Sequence, residues 1–182
     1  MREIKTPIDD ETISSLYTGE AVYITGKIYT ARDAAHKRLV ELIEAGAELP
    51  FDLDGKAVFY AGPAPAKPES ITGSIGPTTS GRMDLYSPDL ISRGMKVMIG
   101  KGLRSKEVIE AIIKYKGIYF AAIGGAAALM AKCVISSKVI AFDDLGTEAI
   151  RELAVEKFPA VVAIDSRGKN LYEDGRLKFY KG

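Results

Sequence analysis

The segment MKVMIGKGLRSKEVIEAIIKYKGIYFAAIGG, residues 95–125, changes its hydrophobic period twice. Residues 95–102 are a short apolar run ending in glycine, the pattern of a buried strand. From Ser105 the spacing becomes helical: Ser105 is an N-cap, Val108, Ile109, Ile112 and Ile113 form an inward stripe, and Gly117 closes the helix. IYFAA then returns to strand character. Strand, helix and strand in succession specify an α/β fold, a layered sheet with flanking helices.

The same alternation extends outward on both sides. AVYITGKIYT (21–30) reads as a strand with a bulge or bend at Gly26. A helix follows with Thr30 as N-cap, Asp33 as its capping-box acid, Ala31, Ala35, Leu39 and Leu42 as its stripe, and Gly46 as its stop. KAVFYAGPAP (56–65) is a short strand broken by proline, and SPDLISRG begins a helix with Ser87 as cap and Pro88 at the first helical position. Downstream, 124–132 predicts a short helix, VISSKVIAF a strand, GTEAIRELAV (146–155) a helix and FPAVVAIDSRG a strand. NLYEDGRLKFYKG carries a hairpin-like Asp-Gly turn signal at 174–175. Residues 1–20 read as a peripheral N-terminal arm, and 1–182 as one domain.

Bulk properties exclude several classes of function. With 25 basic and 24 acidic residues the chain has a formal charge of +1, no electrostatic footprint for nucleic acid or an anionic membrane surface. No apolar run approaches the roughly 18 residues of a spanning helix, and the charged N-terminus lacks a signal-peptide core. The expected location is the cytoplasm. The one cysteine, Cys133, sits in an apolar context and reads as a buried structural thiol. One cysteine and one histidine, His36, leave no conventional metal site within the chain, so any metal chemistry must come from another chain.

Between the first and second predicted helices lies GPAPAKPESITGSIGPTTSGRMD (62–84), with four of the eight prolines. A loop of this length is either functional or disordered. It carries Thr78, Thr79 and Ser80 in a row and then Arg82. Two further cations stand at element ends: Arg32 at the start of a helix, where unpaired N–H groups favour anions, and Lys101 between two glycines in IGKG. His36, four residues after Arg32, shares its helix face. GSIGPTTSG lacks the Gly-Lys-Ser/Thr ending of a phosphate loop, and IGGAAALMAK lacks the dinucleotide glycine spacing. The residues alone describe a basic, glycine-rich anion site, and a hydroxyl there becomes a base only if a neighbour removes its proton.

TARDAAHKR (30–38), GPAPAKP (62–68), GSIGPTTSGRMD (73–84), IGKG (99–102) and AAIGGAAALMAK (121–132), in this order, resemble the β subunit of the iron–sulfur hydro-lyases. That family comprises the class I fumarases and L-tartrate dehydratases. The resemblance implies a swivelling β/β/α domain, with 62–84 as the active-site loop. It implies a [4Fe–4S] cluster held by a partner α subunit, and α2β2-type assembly. It also implies that Arg32, Arg82 and Lys101 grip a dicarboxylate, that Thr78 is catalytic, and that Thr79 and His36 support them. The expected activity is reversible hydration of fumarate to (S)-malate in the tricarboxylic acid cycle. L-tartrate dehydration to oxaloacetate is the alternative, and a non-enzymatic small-anion binding module is a second class. A purely structural reading of the same residues requires Arg82 and Lys101 to lie far apart.

Overall fold

Apolar strands that cannot satisfy their backbone alone must pair, and here the pairing closes on itself. The computed structural model describes residues 1–66, 68–122 and 127–173. Its strands are β1 (Arg2–Lys5), β2 (Ala21–Thr30), β3 (Ala57–Phe59), β4 (Val97–Gly100), β5 (Ile118–Ala122), β6 (Val134–Ala141) and β7 (Ile150–Ile164). Its helices are α1 (Asp10–Ser15), α2 (Asp33–Glu44), α3 (Ser87–Ser92), α4 (Lys106–Tyr115) and α5 (Ala127–Lys132). Strands β2, β3, β4 and β5 run parallel in that order, and β7 returns antiparallel against both β5 and β2, which completes a ring. β1 lies beside the first half of β2, and β6 beside the first part of β7.

Side chains alternate across a strand, so the ring sorts them into two cores. Ile24, Ile28, Phe59, Ile99, Phe120 and Phe158 share one cluster, in which Phe59 meets Phe158 edge to face at 5.2 Å. Their sequence neighbours Val58, Met98 and Tyr119 belong to the other, packed against Leu39 of α2, Leu90 of α3 and Ile112 of α4. The architecture is therefore a layered α/β sheet with flanking helices. Residues 1–20 place β1 at the sheet edge and bury Ile4, Ile8, Ile13 and Leu16 in the first core. None of the helices among the described residues is long and apolar enough to cross a membrane.

Much of the predicted element order is present. The register of β2 against β7 shifts between Ile24 and Gly26, where a bulge was expected. Ser105 caps α4, its side chain accepting the Val108 N–H.

Four expectations are corrected. The segment 146–155 is not a helix: a 3₁₀ turn occupies Asp143–Glu148 and the rest opens the long strand β7. Thr30 is not a helix cap but the last residue of β2, its hydroxyl accepting the Arg151 N–H at 3.1 Å; Arg32 takes the cap position. Ser87 is the first helical residue of α3 rather than its cap. Ile113 faces outward at 48% exposure, while Ala111 fills the buried position. Cys133 is half-buried, against Leu129 O and Lys157 O, and desolvation raises its thiol pKa. Gly124 and Gly125 of the AAIGGAAALMAK motif and the Asp174-Gly175 turn lie outside the described residues.

Candidate active site

The ends of β2, β3 and β4 deliver the site. β4 runs out at Gly100 and presents Lys101; β3 runs into Tyr60, Ala61 and Gly62; β2 ends at Thr30 just before Arg32. The loop 62–84 folds back over these ends. Thr78 N–H bonds the Tyr60 carbonyl at 2.7 Å, Ala61 pairs with Pro77, and Thr79 pairs with Lys101 as in a parallel ladder. Thr78 is half-buried and Thr79 exposed, and neither hydroxyl has a hydrogen-bond partner among the described residues.

Ser80 fixes this docking. Its N–H donates to Lys101 O at 2.8 Å, and its Oγ accepts the Lys101 N–H at 3.0 Å. The Tyr119 hydroxyl donates to Gly102 O at 3.0 Å. Tyr119 has one proton to give, so the 2.9 Å contact between Ser80 and Tyr119 is a bond donated by Ser80. The resulting chain, from Lys101 N–H through Ser80 and Tyr119 to Gly102 O, is buried at its centre, and every proton in it is used. It locks the hydroxyl-bearing loop to the lysine-bearing strand end. Behind it, Arg104 is fully buried, donating to Asp84 at 2.7 Å and to Ser87 Oγ at 2.8 Å, with Tyr60 and Tyr119 ring centroids 5.2 and 5.0 Å from its guanidinium. The other Asp84 oxygen accepts the Ser105 N–H. One carboxylate thus ties the loop's end to the start of α4.

The guanidiniums of Arg32 and Arg82 meet around Asp33. Arg82 Nε donates to Asp33 Oδ1 at 2.7 Å, and Arg32 Nε lies 3.9 Å from Asp33 Oδ2 and 3.3 Å from Glu148 Oε1. The Arg32 contacts lack hydrogen-bond alignment, so Arg32 Nε, Asp33 Oδ2 and Glu148 Oε1 are all buried without a bonded partner. Unmade bonds at buried polar atoms are costly, and of these three only the Arg32 Nε–H is a donor that an anion can complete. Gly62 makes room here: a Cβ on it would come within 2.7 Å of Thr147 O and 3.1 Å of Arg32 Cδ.

The sequence-derived cations and hydroxyls therefore converge. Arg32 and Arg82 share Asp33, and Lys101 abuts Thr79, three residues before Arg82. Lys101 is exposed and has no ion-pair partner among the described residues. Arg82 and Lys101 thus stand on adjoining stretches of backbone. Sequence reasoning missed Asp33, taken as a cap, and Glu148, assigned to a helix that does not form. It also missed Ser80 and Tyr119 as the lock, although Ser80 stands in the quoted hydroxyl triplet.

His36 is completely buried, edge-on to Tyr60 at 5.0 Å. Its Nδ1 lies 3.0 Å from the Arg32 carbonyl, which can only accept, so the proton is on Nδ1 and Nε2 is left unpartnered. The side chain thus braces the backbone that carries Arg32. Burial lowers its pKa from 6.5 to about 4. The unfolded chain therefore takes up the proton first as pH falls, and stability present above pH 6.5 is lost between pH 6.5 and 4, by up to about 3 kcal/mol. His36→Asn, which keeps the donor to Arg32 O, should remove this component. Urea unfolding midpoints of both proteins across that pH range check it: parallel pH profiles would refute the assignment.

Comparison with known proteins shows the family. The model of the family described as Fumarase C-terminus matches residues 2–175. A protein named putative L(+)-tartrate dehydratase subunit beta, from Methanocaldococcus jannaschii, is 40% identical over 93% of this chain and 90% of its own length. The anaerobic class I fumarate hydratase of Escherichia coli is 39% identical over 95% of this chain and 31% of its own length. The mitochondrial fumarate hydratase 1 of Leishmania major is 45% identical over 82% and 28%. The chain thus spans most of the tartrate dehydratase subunit and about a third of each of these fumarate hydratases.

Proposed function

The chain belongs to the Fumarase C-terminus family, and from that premise we propose that it is the β subunit of a two-subunit hydro-lyase that hydrates fumarate to (S)-malate reversibly. The observation that supports this reading is the meeting of Arg32 and Arg82 around Asp33, next to the Thr79–Lys101 backbone pairing, with the Thr78 and Thr79 hydroxyls unpartnered among the described residues. A C4 dicarboxylate brings two negative groups and enough oxygen acceptors for that set. Asp33 and Glu148 approach the arginines through Nε, which leaves the paired Nη groups for a carboxylate. Lys101 supplies a point charge to the other carboxylate.

One cysteine cannot provide the thiolates of an iron–sulfur cluster. In this reading a [4Fe–4S] cluster sits in a cysteine-bearing α subunit, where it would supply a Lewis-acidic iron for the hydroxyl that leaves or adds. This chain's share is to orient the dianion and to move a proton at the substrate carbon. In the dehydration direction Thr78 Oγ1 gives its own proton to a carboxylate of the partner as it takes the proton from the substrate carbon, since a neutral alcohol alone is too weak a base to serve. Ser80 and Tyr119 keep the threonine and Lys101 in register. The enzyme works in the cytoplasm as an α2β2-type assembly. Dehydration of L-tartrate is a second reading, supported by the 40% identity to the relative named as a tartrate dehydratase subunit beta.

An anaerobic assay of this chain co-expressed with its α partner tests the proposal, using fumarate, malate and both tartrate enantiomers, with each subunit alone as control. Turnover by the mixture alone supports it, and the preferred substrate separates the two readings. No turnover with the cluster intact refutes both. Arg82→Ala should raise KM by roughly 100-fold with an unchanged melting temperature, because a charged bond to the carboxylate is lost while an exposed side chain is removed.

A further inference from the structure

A second cation stands apart from this site and is not absorbed by the proposed chemistry. Arg151, near the start of β7, projects into a pocket of about 280 Å³ between the proline-rich part of the loop and the Gly146–Thr147 turn. Its Nε is buried, and among the described residues it has no hydrogen-bond partner and no carboxylate within ion-pair distance. Thr72, Ser137 and Thr147 line the same pocket, as do Pro63 and Ile71. Arg32, Thr78, Arg82 and Lys101 do not. A buried guanidinium donor without an acceptor calls for an explanation, and an oxyanion is the group its fork fits best.

We propose that this pocket is a second anion site, one that takes a short-chain organic carboxylate. The carboxylate meets Arg151 and the hydroxyl-bearing wall, while the hydrocarbon body lies against Pro63 and Ile71. One cation matches one carboxylate, in contrast to the three-cation set next door, and the apolar wall favours a carbon chain over phosphate. The two sites share their partition. The Gly62 that faces Thr147 O also packs on Arg32, and Glu148 follows Thr147 directly. An acid held at Arg151 would therefore be linked to how Arg32 is held.

The probe is sodium butyrate, titrated calorimetrically into the full chain with inorganic phosphate in parallel. Saturable butyrate binding at one site is expected in the wild type and equally in the R82A/K101A double variant, which lacks two cations of the first site. R151Q should weaken it by about tenfold or more, and phosphate should bind less well than butyrate. In the wild type, the Ile71 methyl and Arg151 Nε–H NMR resonances should shift along the same binding curve, which decides the matter even if R151Q folds poorly. Absence of saturable binding to the wild type overturns the proposal. So does loss of binding in R82A/K101A, undiminished affinity in folded R151Q, or stationary Ile71 and Arg151 resonances. None of these readouts depends on turnover, so the second site stands or falls separately from the proposed hydro-lyase activity.

Discussion

Replacing Thr78 with alanine is expected to lower kcat by about 10³-fold and to leave KM for the dicarboxylate within a few-fold. The cations that bind the dianion are untouched by the change, while the group that carries the proton is lost. Thr78 is suited to the task because its backbone is pinned to the Tyr60 carbonyl and its hydroxyl is unengaged among the described residues. Thr79 pairs with Lys101 and is exposed, so Thr79→Ala should retain activity within about threefold, and Thr78→Ser should recover most of the loss. Steady-state kinetics of the three variants in the assembled enzyme decide the matter. If Thr79→Ala is the dead variant, the proton role belongs to its hydroxyl instead.

Gly100→Ala should destabilise the protein by about 2–4 kcal/mol and impair the site along with the fold. A Cβ on Gly100 would come within 2.0 Å of Ser80 Oγ and 3.0 Å of Tyr60 Cδ2. Ser80 could escape only by abandoning Lys101 N–H and Tyr119, and Tyr60 is fully buried with no room to retreat. Both the packing penalty and the broken polar chain then fall on the same substitution. Gly81→Ala is the matched control: its Cβ would meet nothing nearer than Leu103 O at 3.7 Å, and its effect should stay within about 0.5 kcal/mol. Urea denaturation compares them. Equal midpoints for the two variants would show that the Ser80 lock is dispensable.

The sequence was most legible where local and tertiary demands agree. In 105–117 the helix period, the Ser105 cap and the buried Val108 and Ile112 all point the same way, and the structure follows them. Arg82 and Lys101 follow glycines and Arg32 stands near a helix start, which made them candidates from the residues, while their expected roles came from the family resemblance. The segment 146–155 was misread because Glu, Ala, Arg and Leu suit a helix, with Ile150 and Leu153 at helical spacing. What overrides that preference lies about 120 residues away: Glu152 takes the Tyr29 hydroxyl at 3.0 Å and Lys27 at 2.9 Å across the β2–β7 ladder. Asp33 and Glu148 were hidden for a related reason. Their importance is their distance to two arginines, and one sequence without a fold gives no such distance.

The β2–β7 pairing also governs the order in which the molecule can be made. Residues 21–30 wait for 151–161 before the ring closes, so a nascent chain that has emerged only as far as β6 leaves one edge of β2 unpaired. Contacts of such sequence separation are entropically slow to form, and an open apolar edge invites pairing with other chains. Synthesis therefore passes through a stage at which most of the polypeptide exists and little of it can be native, and that interval is where chaperone dependence and aggregation in expression hosts should concentrate.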